Sequence, residues 1–257
     1  MKIELQKIRF GYPKGKRVLD NVSFEIQSGE FAFVIGLNGS GKSTLLKIIA
    51  RILEPQSGEV LFDGENSERF SAKEFARTLA YVPQNYSPAF PFSVFDFVAT
   101  GRTPYLNFYG ILKNRDKEIV EKNLLLLGIK NLAEKSITEI SGGELRRVMI
   151  ARALSQEPKI LLLDEPSAFL DIEHQISIFE FLKKLNQEQG LTILTVSHDL
   201  NLTGMFAESV ILLENGEATK FPKKEILTSE KIKKHFGVNA FISEKEENIH
   251  VTITRRK

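Results

Sequence analysis

Residues 36 to 44 read GLNGSGKST, which places glycines, a lysine and hydroxyls in the pattern G-x-x-x-x-G-K-[ST]. Glycines let successive backbone N–H groups turn inward on phosphate oxygens, and a helix starting here adds the positive end of its dipole. Gly36, Asn38, Gly39, Ser40, Gly41, Lys42, Ser43 and Thr44 are therefore the expected cradle of a nucleotide triphosphate. Lys42 would reach the β and γ phosphates, and the Ser43 hydroxyl would ligate Mg²⁺. A second run, ILLLDEP at 160 to 166, carries a buried strand into two carboxylates. Asp164, at the C-terminal edge of a sheet, would hold Mg²⁺ through water, which frees Glu165 to polarise an attacking water. Alone, Asp-Glu after a strand is an ordinary solvated loop start; the phosphate loop is what gives the pair a role.

The stretch ISGGELRRVM, 140 to 149, admits two readings. Ser141-x-x-Glu144 before an apolar run is a capping box, in which serine caps the N3 amide and glutamate reaches back to the serine amide. That explains neither Gly142 nor Gly143, each of which costs a helix about 1 kcal/mol relative to alanine. A side-chain-free helix N-terminus pressing its amides on a phosphate explains both glycines. The residues themselves support the two readings equally.

The elements around these residues follow from pattern. IELQKIRF and VSFEI alternate apolar and polar, with turns at SGE and Asp63-Gly64, and predict antiparallel strands around one buried strand, 31 to 35. KEIVEKNLLLLGI and ELRRVMIARAL have apolar residues at helical spacing and predict a helical insert from about 86 to 156. KILLLD and LTILTVSH, separated by the amphipathic IEHQISIFEFLKKLNQEQG, predict a parallel sheet covered on both faces. Asn215-Gly216 signals a hairpin, and NIHVTIT a last strand. The 257 residues suffice for one large domain with a subdomain inserted. Thirty-five basic against 33 acidic residues give no polycationic field, so nucleic acid is not expected as a partner. The chain has no cysteine, which excludes disulfides, thiol catalysis and cysteine-ligated metals. No apolar run approaches the roughly 18 residues of a membrane span, and the alternating MKIELQKIRF lacks the core of a signal peptide. Membrane contact would go through another protein.

The order of GLNGSGKST, YVPQ, SGGE, LLLDEP and SHD resembles the ATP-binding-cassette (ABC) ATPases over essentially the whole chain. The resemblance implies an α/β fold: a P-loop NTPase (RecA-like) core, 1–85 and 157–257, with an N-terminal antiparallel β subdomain and an inserted α-helical subdomain, 86–156. It also implies ATP and Mg²⁺ as ligands and a head-to-tail homodimer. In such a dimer Ser141, Gly142 and Gly143 close in trans over the γ-phosphate held by the other copy's loop. Residue by residue, Tyr12 matches the aromatic that stacks on adenine. Gln84 matches the glutamine that senses Mg²⁺ and the attacking water, His198 the histidine on the γ-phosphate, and Asp171 the aspartate that couples the two sites.

Two positions depart from the family pattern. Ile140 stands for leucine and Glu144 for glutamine; a carboxylate there would repel a γ-phosphate unless the capping box turns it back. ATGRTPYL, FLDIEHQ and EILTSEKIKKHFGVN resemble cassettes of ferric-siderophore, haem and cobalamin importers, which work with membrane permease subunits and, indirectly, a substrate-binding protein. The expected location is then the cytoplasmic face of the membrane. Gly101, Pro104 and Tyr105 are expected to form a groove for a permease helix. The alternatives are a soluble ABC switch acting on ribosome or DNA, or an efflux or lipoprotein-release cassette.

Overall fold

The computed structural model describes residues 1–13, 15–168, 170–246 and 248–254. The chain opens with β1 (Ile3–Gly11), β2 (Arg17–Ile26), β3 (Phe31–Ile35), α1 (Lys42–Ile49), β4 (Ser57–Phe62) and β5 (Glu65–Asn66). Four of these strands form an antiparallel sheet in the order β2-β1-β4-β5. Only one face of this sheet is covered, which is why β1 alternates, with Ile3, Leu5, Ile8 and Phe10 buried. Lys7, at φ 52, marks a register shift between Leu5 and Ile8 that keeps the apolar set on one face.

β3 corrects the expectation that it would lie among the antiparallel strands. It is a central strand of the second sheet, between β8 and β9. The reason is visible in its burial: all five residues are covered, so both of its faces need a partner layer. Next along the chain come α2 (Ala72–Thr78), β6 (Leu79–Val82), α3 (Val94–Ala99), α4 (Asn114–Leu126) and α5 (Gly142–Ser155). Then follow β7 (Ile160–Asp164), α6 (Ile172–Gln189), β8 (Thr192–Val196), α7 (Leu200–Phe206), β9 (Ser209–Glu214) and β10 (Glu217–Pro222). The short α8 (Lys223–Ile226), α9 (Ser229–Phe236) and the hairpin β11 (Asn239–Lys245)–β12 (Asn248–Thr254) end the described chain. The second sheet runs β10-β9-β3-β8-β7-β6, parallel except for β10, which returns through Asn215 (φ 52) and Gly216 (φ 83) as their dipeptide predicts.

This sheet divides two cores. Phe31, Phe33, Leu161, Leu163 and Val210 face the helices of the insert, α6 and α7, whereas Ala32, Val34, Ile160, Leu162 and Ile211 face α1 and the antiparallel sheet. Every parallel strand therefore ends between two packed layers. Its C-terminal edge is held in place, and the phosphate loop and the acidic pair both emerge there.

Gly101, Pro104 and Tyr105 pack within the chain, Gly101 buried and Pro104 and Tyr105 half-buried. A Cβ on Gly101 would meet the Arg152 carbonyl oxygen at 2.3 Å, so this glycine is needed for the close approach to α5. The Pro104 carbonyl accepts from Arg77 Nε (3.1 Å), and the Tyr105 hydroxyl donates to the Gln156 carbonyl (3.0 Å). The Tyr105 ring lies 4.0 Å from the Arg102 guanidinium, which is 2% exposed and ion-paired with Asp116 at 2.9 Å and Glu157 at 2.8 Å. These residues clasp the insert together, and its outward-facing aromatics include Tyr86, Phe90, Phe92, Phe108 and Tyr109.

Candidate nucleotide site

The cradle begins where β3 ends. Gly36 passes so close to β9 that a Cβ would sit 2.3 Å from the Leu213 carbonyl oxygen, and Gly41, at φ 102, starts α1 without any side-chain cap. The first amides of α1 are thus left to an external acceptor. Lys42 is folded onto the loop, its Nζ donating to the carbonyls of Gly36 (3.0 Å) and Leu37 (2.9 Å). Burial pulls the Lys42 pKa down, opposed by the nearby charges of Glu165 and Asp164.

A cleft of about 730 Å³ joins Tyr12, Asn38, Gly39, Gly41, Lys42, Ser43 and Thr44 to Gln84, Glu165 and His198. Gly36 and Ser40 line an adjoining depression that also reaches Tyr12. Tyr12 is 44% exposed at the cleft edge, steadied by the edge of Phe10 at 5.0 Å and by Thr44 Oγ1, 3.2 Å from its hydroxyl. Beneath the cleft lies Asp164, 1% exposed, accepting from Ser43 Oγ at 3.0 Å and from the Tyr81 hydroxyl at 3.3 Å. Burial pushes the Asp164 carboxyl up, and the neighbouring Glu165 adds to this against the hydrogen bond from Ser43. Burial, then Asp164, raise the Tyr81 phenol as well. Glu165 stands at φ 51, and its Oε1 is 2.7 Å from His198 Nε2.

The signature residues are elsewhere. Ser141 caps α5 in the expected capping box: its Oγ accepts from Glu144 N (3.3 Å), and its own N–H donates to Glu144 Oε2 (2.7 Å). The bond from the Ser141 amide holds the Glu144 carboxyl below the usual range and turns it back onto the helix. The amides of Gly142 and Gly143 head the helix beside an exposed surface. None of Ser141, Gly142 and Gly143 borders the Lys42 cleft; Gly142 lines a second depression with Tyr86, Leu145 and Met149, which adjoins the cleft at Gln84. Asp171 caps α6 through His174 N at 2.9 Å, which lowers its pKa, and Phe169 of the same FLDIEHQ run lies outside the described residues.

Two residues at the site escaped the sequence reading. Tyr81 is an ordinary strand tyrosine in LAYV until β6 pairs with β7 and brings it to Asp164. Arg146 is buried among the apolar residues of α5 and donates to the carbonyls of Pro83 (2.6 Å), Asp164 (2.7 Å) and Glu165. An arginine whose helical neighbours three and four residues on are the apolar Met149 and Ile150 was the available signal.

Residues 19–168 match the ABC transporter family. The ferric enterobactin transport ATP-binding protein FepC of Escherichia coli is 39% identical over 238 residues, covering 92% of this chain and 88% of FepC. An inward-facing metal-chelate type ABC transporter superposes with a TM-score of 0.83 at 28% identity, covering 98% of this chain and 96% of that one. A dimeric ATP-binding cassette in a post-hydrolysis state with ADP and Pi gives a TM-score of 0.76 at 30% identity, over 86% of this chain and 98% of its own. With the phosphate loop, the acidic pair and the signature helix all in the matched fold, the chain belongs to the ABC transporter family and is an ATP-hydrolysing cassette.

Proposed function

We propose that two copies of this chain hydrolyse ATP on the membrane permease of an importer, each copy supplying the cradle of one site and Ser141, Gly142 and Gly143 of the other. The observation that carries this reading is the Lys42 cleft, which gathers Gln84, Glu165 and His198 yet has none of the chain's own signature residues on its border. Among the described residues no helix is long and apolar enough to cross a membrane, so the permease is a separate chain in this reading. The likeness to FepC and to a metal-chelate transporter supports a ferric siderophore, ahead of haem or cobalamin, as the cargo.

The donor set fits Mg²⁺. Ser43 Oγ and Asp164 Oδ1 lie 3.0 Å apart, Gln84 offers an amide oxygen nearby, and a buried carboxylate with a raised pKa is one that a cation would relieve. When bound with ATP, Mg²⁺ neutralises charge on the β and γ phosphates. The α1 amides and Lys42 hold the phosphates, with Lys42 Nζ leaving the Gly36 and Leu37 carbonyls to do so. Tyr12 lies under the base. Glu165 Oε1 and His198 Nε2 are paired at 2.7 Å in this structure; in the reaction the pair parts, the Glu165 carboxylate taking a proton from the attacking water and His198 Nε2 turning to the γ-phosphate. Amides of Gly142 and Gly143 from the second copy close the site, and opening follows hydrolysis; Asp171 links the two sites.

The test is ATPase activity in proteoliposomes containing the cognate permease, with ferric siderophores, haem and cobalamin supplied in turn with their binding proteins. Stimulation by a ferric chelate alone is the expected result. Stimulation only by haem or cobalamin would reassign the cargo, and a cassette that never associates with a permease would overturn the importer reading.

A further inference from the structure

Arg146 lies one helical turn inside α5 from the capping serine, 4% exposed, with no carboxylate among its hydrogen-bond acceptors. The two terminal nitrogens of its guanidinium donate to three backbone carbonyls, while the buried Nε has no partner. Nη1 donates to Pro83, the residue immediately before Gln84, and Nη2 to both Asp164 and Glu165. A planar fork with fixed donor directions suits this task; a lysine ammonium, a compact point donor, cannot span the same acceptors in one geometry. The Glu165 backbone it holds is in the left-handed region, φ 51, where a residue with a side chain persists only when its surroundings fix it. Two other bonds help: Glu165 N donates to the Val196 carbonyl (3.2 Å), and Ala168 N to the Glu165 carbonyl (3.1 Å). Neither of them reaches the insert. Arg146 alone among these contacts ties that conformation to the helix whose first turn carries Gly142 and Gly143.

From this juxtaposition we infer that Arg146 is a positioning residue for hydrolysis: by clamping the Pro83, Asp164 and Glu165 carbonyls it aims the Glu165 carboxylate at the attacking water and fixes that aim to the placement of the signature helix. The inference rests on the hydrolytic role proposed for Glu165. Arg146 itself touches neither nucleotide nor water in this scheme. Displacing a catalytic group by about 1 Å costs up to about a hundredfold in rate, and nucleotide binding through Lys42 and Tyr12 is independent of it.

Arg146→Lys and Arg146→Gln, each alone and combined with Glu165→Gln, test this by steady-state kcat and KM, affinity for a fluorescent ATP analogue, and Tm. The inference expects kcat to fall about tenfold to a hundredfold with KM and analogue affinity within about twofold. In the Glu165→Gln background the same change should cost less than about twofold, because its route is already removed. A folded Arg146→Lys or Arg146→Gln protein with wild-type kcat would overturn the inference. So would a loss of kcat and analogue affinity together in proportion to the unfolded fraction, or a full additional loss on top of Glu165→Gln. If Glu165→Gln alone kept wild-type turnover, the base assignment would fall first and this inference with it, a result distinguishable from failure of Arg146 alone.

Discussion

Replacing Glu165 by glutamine isolates one atom's chemistry. Glutamine has the same length and branching, keeps an acceptor oxygen for His198 Nε2, now 2.7 Å from the carboxylate, and accepts the φ 51 backbone as readily as glutamate does. What it loses is basicity at the place where Oε1 faces the cleft. A positioned general base contributes about a hundredfold to ten-thousandfold, so kcat should fall by that factor, or about 2.7 to 5.4 kcal/mol of barrier at about 1.36 kcal/mol per decade. In the proposed site the phosphates are held by Lys42 and the α1 amides, not by Glu165, so affinity for ATP should stay within about twofold or tighten, a separation of kcat from binding that marks a group acting only in the transition state. Single-turnover phosphate release measures the first quantity and equilibrium binding of a fluorescent analogue the second. In gel filtration with Mg²⁺ and ATP the variant should run as a trapped dimer. Normal turnover by a folded Glu165→Gln protein would refute the assignment of the base.

Three further outcomes follow from the same geometry. Lys42→Ala removes the ammonium that donates to the Gly36 and Leu37 carbonyls beside the cleft, and should cost at least about tenfold in nucleotide affinity by equilibrium titration, as expected for loss of a charge-assisted phosphate contact. Burial raises the Asp164 pKa, so the folded chain keeps that proton to a higher pH than the unfolded chain, and stability falls as pH climbs from the ordinary carboxylate value to the raised one. Asp164→Asn abolishes this ionisation: turnover should be lost while Tm at neutral pH rises by about 2–4 °C per kcal/mol relieved, a gain that calorimetry should see vanish near pH ~4. A lower Tm at neutral pH would contradict it. Arg102→Ala leaves Asp116 buried without its 2.9 Å partner, which should cost about 3–5 kcal/mol and lower Tm by roughly 10 °C in thermal melts.

Much of the candidate site is legible in the sequence because its residues are contiguous. The cradle from Gly36 to Thr44 and the pair Asp164-Glu165 each sit on one turn of chain after one buried strand, so local pattern carries them. The capping box at Ser141 and Glu144 is equally local, and the structure forms it while leaving Gly142 and Gly143 bare, so the two readings of that stretch are compatible. What escapes is pairwise and distant. Arg146 meets Pro83 across 63 residues, and Tyr81 meets Asp164 across 83, contacts that exist only once the parallel sheet is assembled. The misplacement of β3 has the same origin, since an apolar run shows that both faces are covered but not which strands lie beside it. The bonds made by GRTPY are distant too: Arg102 meets Asp116 and Glu157, and Tyr105 meets Gln156, partners that the local sequence does not reveal. α2 was unread although Ser71 and Glu74 form its capping box, because seven residues carry too little periodicity.

The completion of each site by a second copy is tested most directly by mixing two inactive proteins, Lys42→Ala and Gly142→Asp. Each homodimer carries a defect at both of its sites. In a head-to-tail heterodimer both defects fall on one site and the other is wholly native, so equal mixing should restore up to about a quarter of wild-type turnover, half the dimers being mixed with one of two sites intact. If hydrolysis instead used each chain's own Ser141-Gly142-Gly143, every site would keep one defect, and a mixture no more active than its parents would contradict the account.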